Sequence, residues 1–291
     1  MYRSTLILGL VYLLTLPAVS AQQRPLPNAD AFLKETRKHL QTDSALQSSY
    51  SYVETRKELK LDSQGRSTGE SVKVFESYPG LPGQQRWERL ISEDGTPVPA
   101  AALAKQDRER QKTAEEYARR LSNEPAKTAA QQRGDWEKAQ RETGRTIDDI
   151  FRVYEIRMLG REPIEGHDTI AFSLTPRPDA QPSTREGGIM RHFGVRAWVS
   201  ETDYELVRLQ AEAFETVPFA LGLLARMHKG SRLAFERRKV NDEVWLPARV
   251  TYTGSARIGL IKTIRRGGSS EFSNYKKFTV GTTTTFSEAK H

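Results

Sequence analysis

The chain has 291 residues, no cysteine and a formal charge of +8, from 45 Lys and Arg against 37 Asp and Glu. The missing cysteines exclude disulfides, thiolate chemistry and a lipid anchor on an N-terminal cysteine, so the core alone has to hold the fold. Basic residues mostly interleave with acids, and no nucleic-acid-binding module is recognisable. The charge therefore fits a solvated surface, or a weak attraction to anionic headgroups or an acidic partner, better than nucleic acid.

At the start, Arg3 precedes an apolar run from Leu6 to Leu16, then Pro17 and the small-residue stretch Val19-Ser20-Ala21. This pattern predicts a signal peptide over residues 1–21, cleaved after Ala21, and an exported, periplasmic chain with no transmembrane span after cleavage. The mature part, 22–291, is expected to be one domain. Asn28 or Asp30 can cap a helix over about 31–40. Strands follow over 48–61, 71–78 and 84–92, separated by the turn Asp62–Arg66 and the break Pro79-Gly80-Leu81-Pro82-Gly83.

From Pro99 the period changes. Leu103, Ala114, Tyr117 and Leu121 make a thin apolar stripe on a segment crowded with charge, which predicts a long helix that buries little. Residues 124–134 read as a loop or fray and 135–143 as helical. A further helix is expected from Thr146, its possible cap, to about Phe151. Together 99–150 form a charged helical insertion laid across one end of a sheet, as a solvated face or as a docking arm for an envelope protein partner.

Strands resume over 153–160 and 167–175. The clearest signal comes next, in Gly194–Phe214, GVRAWVSETDYELVRLQAEAF. Val195, Ala197 and Val199 alternate with polar neighbours, the turn Glu201-Thr202-Asp203 intervenes, and Val207, Leu209, Ala211 and Ala213 alternate again. Two period-two runs joined by a short polar turn make a β-hairpin with one buried face. Trp198 sits on the opposite parity, so either the outer face is covered too or the concave side is an apolar groove. Val217–Met227 is apolar almost throughout and packs against the core or forms a flap over an apolar cleft. Strands over 231–240, 244–252, 256–265 and 270–280 complete a meander in which Gly267-Gly268 looks like a turn, and Thr282–His291 a frayed end.

The fold class expected is α+β: a large curved antiparallel sheet forming an unclosed β-barrel packed on helices, with the charged insertion. Reaction chemistry is missing. His39, His167, His192, His228 and His291 do not fall at metal-ligand spacing, and there is no HExxH, no GxSxG elbow and no phosphate-cradling glycine loop. Asp148-Asp149 and Glu115-Glu116 are adjacent on helices and point apart, which suits caps or solvated charge rather than acid/base pairs. No enzyme activity and no cofactor or metal is expected.

With its N-terminal helix, long sheet interrupted by helices, Gly-x-x-x-Trp-Val strand, acidic turn and closing FSNYKKF strand, the chain resembles the LolA/LolB-like superfamily of periplasmic lipoprotein carriers. The resemblance covers about 29–280 apart from the insertion. It implies a half-barrel whose cavity takes lipoprotein acyl chains or another apolar lipid, in a carrier or sensor. An interaction protein of the same fold, acting through its helices with a filled cavity, is the alternative. Aromatic and aliphatic residues expected to line the cavity are Trp87, Phe172, Trp198, Phe219, Leu221, Leu224, Phe235, Trp245 and Tyr252.

Overall fold

The computed structural model describes residues 24–42, 47–81, 85–123, 125–218, 225–258 and 262–277. The expected signal peptide, the end from Thr282, and the candidates Phe219, Leu221 and Leu224 lie outside the described residues. Four helices are described: α1 (Ala29–Thr42), α2 (Ala100–Asn123), α3 (Pro125–Val153) and α4 (Arg185–Met190). The strands are β1 (Tyr50–Leu61), β2 (Ser67–Tyr78), β3 (Trp87–Glu93), β4 (Thr96–Pro97), β5 (Tyr154–Ile164), β6 (His167–Pro176), β7 (Phe193–Ser200), β8 (Leu206–Ala213), β9 (Val217–Pro218), β10 (Ala225–Met227), β11 (Arg232–Val240), β12 (Val244–Ile258) and β13 (Lys262–Lys277).

These strands make one 13-stranded sheet in the order β4-β3-β2-β1-β13-β12-β11-β8-β7-β6-β5, with β9 and β10 joined to the side of β12. Strands β4 and β5 form the two edges and do not pair with each other, so the sheet is an unclosed half-barrel. Strand β12 runs to Ile258 and β13 passes through Gly267-Gly268 in continuous register, with Gly267 opposite Thr253 and Gly268 opposite Tyr252. The glycine pair is therefore strand interior and not a turn, and the tail holds two long strands where three short ones were expected.

The inner face is the one on which α1 lies. Asn28 caps this helix, its Oδ1 accepting from the Ala31 N–H at 3.0 Å. Phe32 then reaches Phe172 on β6 (ring centroids 5.8 Å apart) and Tyr204 beyond β7 (5.1 Å). Around them Val153, Tyr154, Ile170, Leu174, Ala197 and Val199 form the main core. The alternation of the Gly194–Phe214 hairpin is present as expected, with one exception. A register shift after Trp198 pairs Trp198 with Arg208 and Val199 with Leu206. The extra residue, Val207, turns to the outer face, because a bulge places two successive side chains on one side. There Val207 packs with Ile164, Ala171, Trp198 and Trp245 in a second cluster, so the outer face is covered at this point.

Helix α3 is unbroken from Pro125 to Val153, where a loop and two shorter helices were expected. Gly134 and Gly144 each cost about 1 kcal/mol inside a helix. Burial of Ile147 and Val153 at its C-terminal end fixes the helix against the core and outweighs that local penalty. Thr146 is thus interior to the helix and caps nothing. Helix α2 docks through a polar face on β3, along the part that the two-residue β4 leaves unpaired. Asp107 takes both ends of the Arg89 guanidinium (2.8 and 2.9 Å), and the Gln106 amide accepts from the Leu90 N–H (2.9 Å) and donates to the Leu90 carbonyl (3.1 Å). Strand β4 pairs only with Ser92 and Glu93, so Gln106 occupies both backbone groups of Leu90 that a longer neighbouring strand would use.

Candidate functional site: the inner groove

Cross-strand register links Leu174, Val195, Ala211, Leu233, Tyr252 and Gly268 in one row across β6, β7, β8, β11, β12 and β13. Directly opposite residues of antiparallel strands share a face, and Val195 and Leu174 pack on the α1 core, so this row lies on the inner face. It floors a groove of about 820 Å³. A second hollow of about 370 Å³ shares Leu233 and Tyr252 with the first and runs on to Phe193, Met227, Ala256 and Ile264. The two together make a continuous apolar trough along the open side of the sheet.

Small residues make the hollow. Ala211, Gly254, Ala256 and Gly268 occupy inner positions where a large side chain would fill the space. Gly268 is needed for a further reason: a Cβ there would meet the Lys57 carbonyl oxygen at 2.5 Å and the Tyr252 hydroxyl at 2.8 Å. Without it the Tyr252 ring lies down across β13. Tyr252 and Leu233 remain 38% and 40% exposed, large apolar surfaces left bare on a face that is packed on its α1 side. Burial of its ring edge, with the charge of Glu58, raises the Tyr252 pKa, so the hydroxyl stays protonated and neutral.

Of the residues singled out by sequence, Tyr252 lines the groove and Phe235, half-buried, stands two positions along β11 from Leu233 on the same face. Phe172 is enclosed in the core beneath α1. Trp198 and Trp245 are in the second cluster, their indole N–H groups donating to Glu162 (2.7 Å) and Asp203 (2.9 Å). Trp87 lies beside Tyr78 at the β3 edge, with the Arg110 guanidinium of α2 4.2 Å from its ring. The structure therefore does not bring these aromatics to one place. The groove residues that sequence reasoning missed are mostly aliphatic or small, and the available signal was Gly267-Gly268 without the Asn or Asp that usually accompanies a turn.

The paired carboxylates diverge as helix geometry requires. Asp148 meets Arg37 of α1. Asp149 is wholly buried and accepts from the N–H and hydroxyl of both Ser183 and Thr184, at 2.6–3.0 Å. It is therefore neither a solvated charge nor a helix cap but the anchor of the loop before α4. Burial pushes its pKa up, and the hydrogen bonds from Thr184 and Ser183 outweigh burial, holding the carboxyl below its usual range. A Cβ on Gly187 would come within 2.3 Å of Asp149 Oδ2, so this glycine is required by close approach. Among the described residues, no group of three or more His, Asp or Glu is placed to hold a metal ion, and no helix is long and apolar enough to cross a membrane.

No family model and no curated protein matches the chain. Solved structures similar to it include one described as an outer membrane lipoprotein-sorting protein domain from Vibrio parahaemolyticus, 11% identical, covering 88% of this chain and 95% of that one with a TM-score of 0.36. A LolA superfamily protein from Nitrosomonas europaea is 9% identical over 87% and 94% of the two chains, TM-score 0.29. A DUF1329 family protein from Desulfovibrio piger is 11% identical over 87% and 94%, TM-score 0.31. The likeness is one of fold, and any account of function rests on the groove itself.

Proposed function

We propose that this is an exported, periplasmic carrier or sensor that holds a lipoprotein acyl chain or another apolar lipid in the inner groove and does no chemistry on it. The observation that carries the reading is the bare row from Ala211 to Gly268, with Leu233 and Tyr252 exposed on the floor of a groove of about 820 Å³. Small-molecule sites fall in the range of roughly 300–1,000 Å³ and are mainly apolar. Each methylene laid on such a floor contributes about 0.8 kcal/mol, so one chain is held without any charged contact. Leu174, Val195, Leu233, Phe235 and Tyr252 are the residues we assign to the acyl chain.

Native mass spectrometry of the purified protein, before and after organic extraction and re-addition of phospholipid, tests this. Bound lipid that is removed by extraction and taken up again is the expected result. Ala211→Phe fills the groove floor and should abolish uptake with the melting temperature kept. A protein that neither carries nor takes up lipid overturns the reading.

A further inference from the structure

We infer that the β1 end of the trough is a head-group subsite for a zwitterionic phospholipid, with Arg266 and Lys60 taking the phosphate and Glu58 the ammonium group. The inference rests on the carrier reading and deepens it, because it names the class of lipid whose chains lie on the apolar floor. The inner-face row through Leu233 and Tyr252 continues across Gly268 to Glu58 on β1, which stands directly opposite Gly268. Two residues further along these strands Arg266 stands opposite Lys60, on the same face as Glu58. Arg266 also lines the second hollow, beside Tyr252 and Leu233. The floor therefore changes from apolar to charged within one strand, and the charge is of both signs.

Unlike charges at these spacings close on one another elsewhere on β1. Two residues apart on the strand, as Glu58 and Lys60 are, Glu54 holds the Arg56 guanidinium at 2.9 and 3.0 Å. On the diagonal across a strand pair, as Glu58 and Arg266 are, Lys57 meets Glu70 at 2.7 Å. Glu58, Lys60 and Arg266 are exposed and make no ion pair among the described residues, and Arg266 donates to the Arg265 carbonyl at 3.2 Å. Both signs nevertheless act on the Tyr252 hydroxyl. Its pKa is raised first by burial and then by Glu58, and lowered by Arg266 and by Arg56, which Glu54 already holds. This hydroxyl lies over Gly268, where a Cβ would come within 2.8 Å of it. A simple anion would meet the Glu58 carboxylate as well as the cations, and an uncharged lipid would use none of the three charges. A phosphoethanolamine head group supplies an anion for Arg266 and Lys60 and a cation for Glu58 in charge-assisted hydrogen bonds, while its chains continue onto Leu233.

The test offers the delipidated mature chain phosphatidylethanolamine, phosphatidylglycerol and diacylglycerol with identical acyl chains, and compares uptake by native mass spectrometry. Phosphatidylethanolamine is expected to be preferred to diacylglycerol by about tenfold or more, and to be taken up ahead of phosphatidylglycerol. Arg266→Gln should lower the preference over diacylglycerol by about tenfold. Glu58→Lys should reverse the order and favour phosphatidylglycerol, a gain that misfolding does not mimic. Equal uptake of phosphatidylethanolamine and diacylglycerol by the parent, or a parent that favours phosphatidylglycerol, overturns the head-group subsite and leaves the carrier reading standing. An unchanged order in both variants does the same. Uptake of none of the three lipids overturns both. Glycerophosphoethanolamine, which has the head group and no chains, should not displace the bound lipid. Displacement by it at equal concentration overturns the subsite in favour of a small phosphate ester.

Discussion

Leu174 and Tyr252 belong to one registered row on one face of one sheet, yet Leu174 is 9% exposed and Tyr252 38%. The β5–β7 side of the inner face receives α1, the end of α3 and α4, and its side chains close into a single core. The side formed by β11, β12 and β13 receives no helix among the described residues, and its smaller side chains leave a trough. Alternation along each strand is alike on the two sides. What separates a packed core from an open groove is therefore the helical cover, together with glycine and alanine at the inner positions.

The comparison is tested most severely on the covered side. Phe172→Ala removes a ring that is 1% exposed and should cost about 3–5 kcal/mol in urea unfolding. Asp149→Asn leaves the Ser183 and Thr184 donors short of an acceptor, and a loss of about 3 kcal/mol is expected. Because the folded-state pKa of Asp149 is lowered, its contribution is complete above the unfolded value of about 3.9 and is lost as pH falls through the lower folded value. Acid titrations followed by circular dichroism should show a shallower loss between those points for the asparagine variant than for the parent. On the open side Gly268→Ala must shift β13 away from the Lys57 carbonyl of β1 as well as lift the Tyr252 ring, and we expect about 1–3 kcal/mol with a changed tyrosine fluorescence and weaker lipid uptake. Leu233→Ala should change stability by less than about 0.5 kcal/mol while reducing lipid retention. A Leu233 variant as destabilised as the Phe172 variant would show that the groove is core and end the distinction.

Much of this architecture was legible before any coordinates. The Gly194–Phe214 hairpin, the long polar strands and the helical character of 99–150 follow from periodicity and turn residues, and Trp198 on the wrong parity left two readings, a covered outer face or a concave apolar groove, of which the structure has the first at that point. The misses have physical causes. Val207 changes face through a bulge, which alternation cannot register. Helix α3 runs through two glycines because tertiary burial at one end overrides local propensity. Helix α2 docks through Gln106, Asp107 and Arg110, and a hydrophobic pattern is blind to a polar contact. The groove was harder still, since a hollow is defined by the side chains that are small, whereas the search by sequence favoured the large ones. Phe172, Trp198 and Trp245 stood out for size, and size is what let them fill the space they occupy.

The placement of α2 and α3 has a mechanical consequence. Strand β4 at one edge and β5 at the other are joined in the chain by these two helices, about 36 and 43 Å long. Sheet and helices thus complete a hoop of covalent chain around an opening that hydrogen bonds alone leave unclosed. A bulky guest that spreads the strands must stretch this hoop, and the strain falls first on the Gln106–Leu90 and Asp107–Arg89 fastenings. The girth of what the trough can accept is then limited at a clasp on the far rim, which the guest never touches.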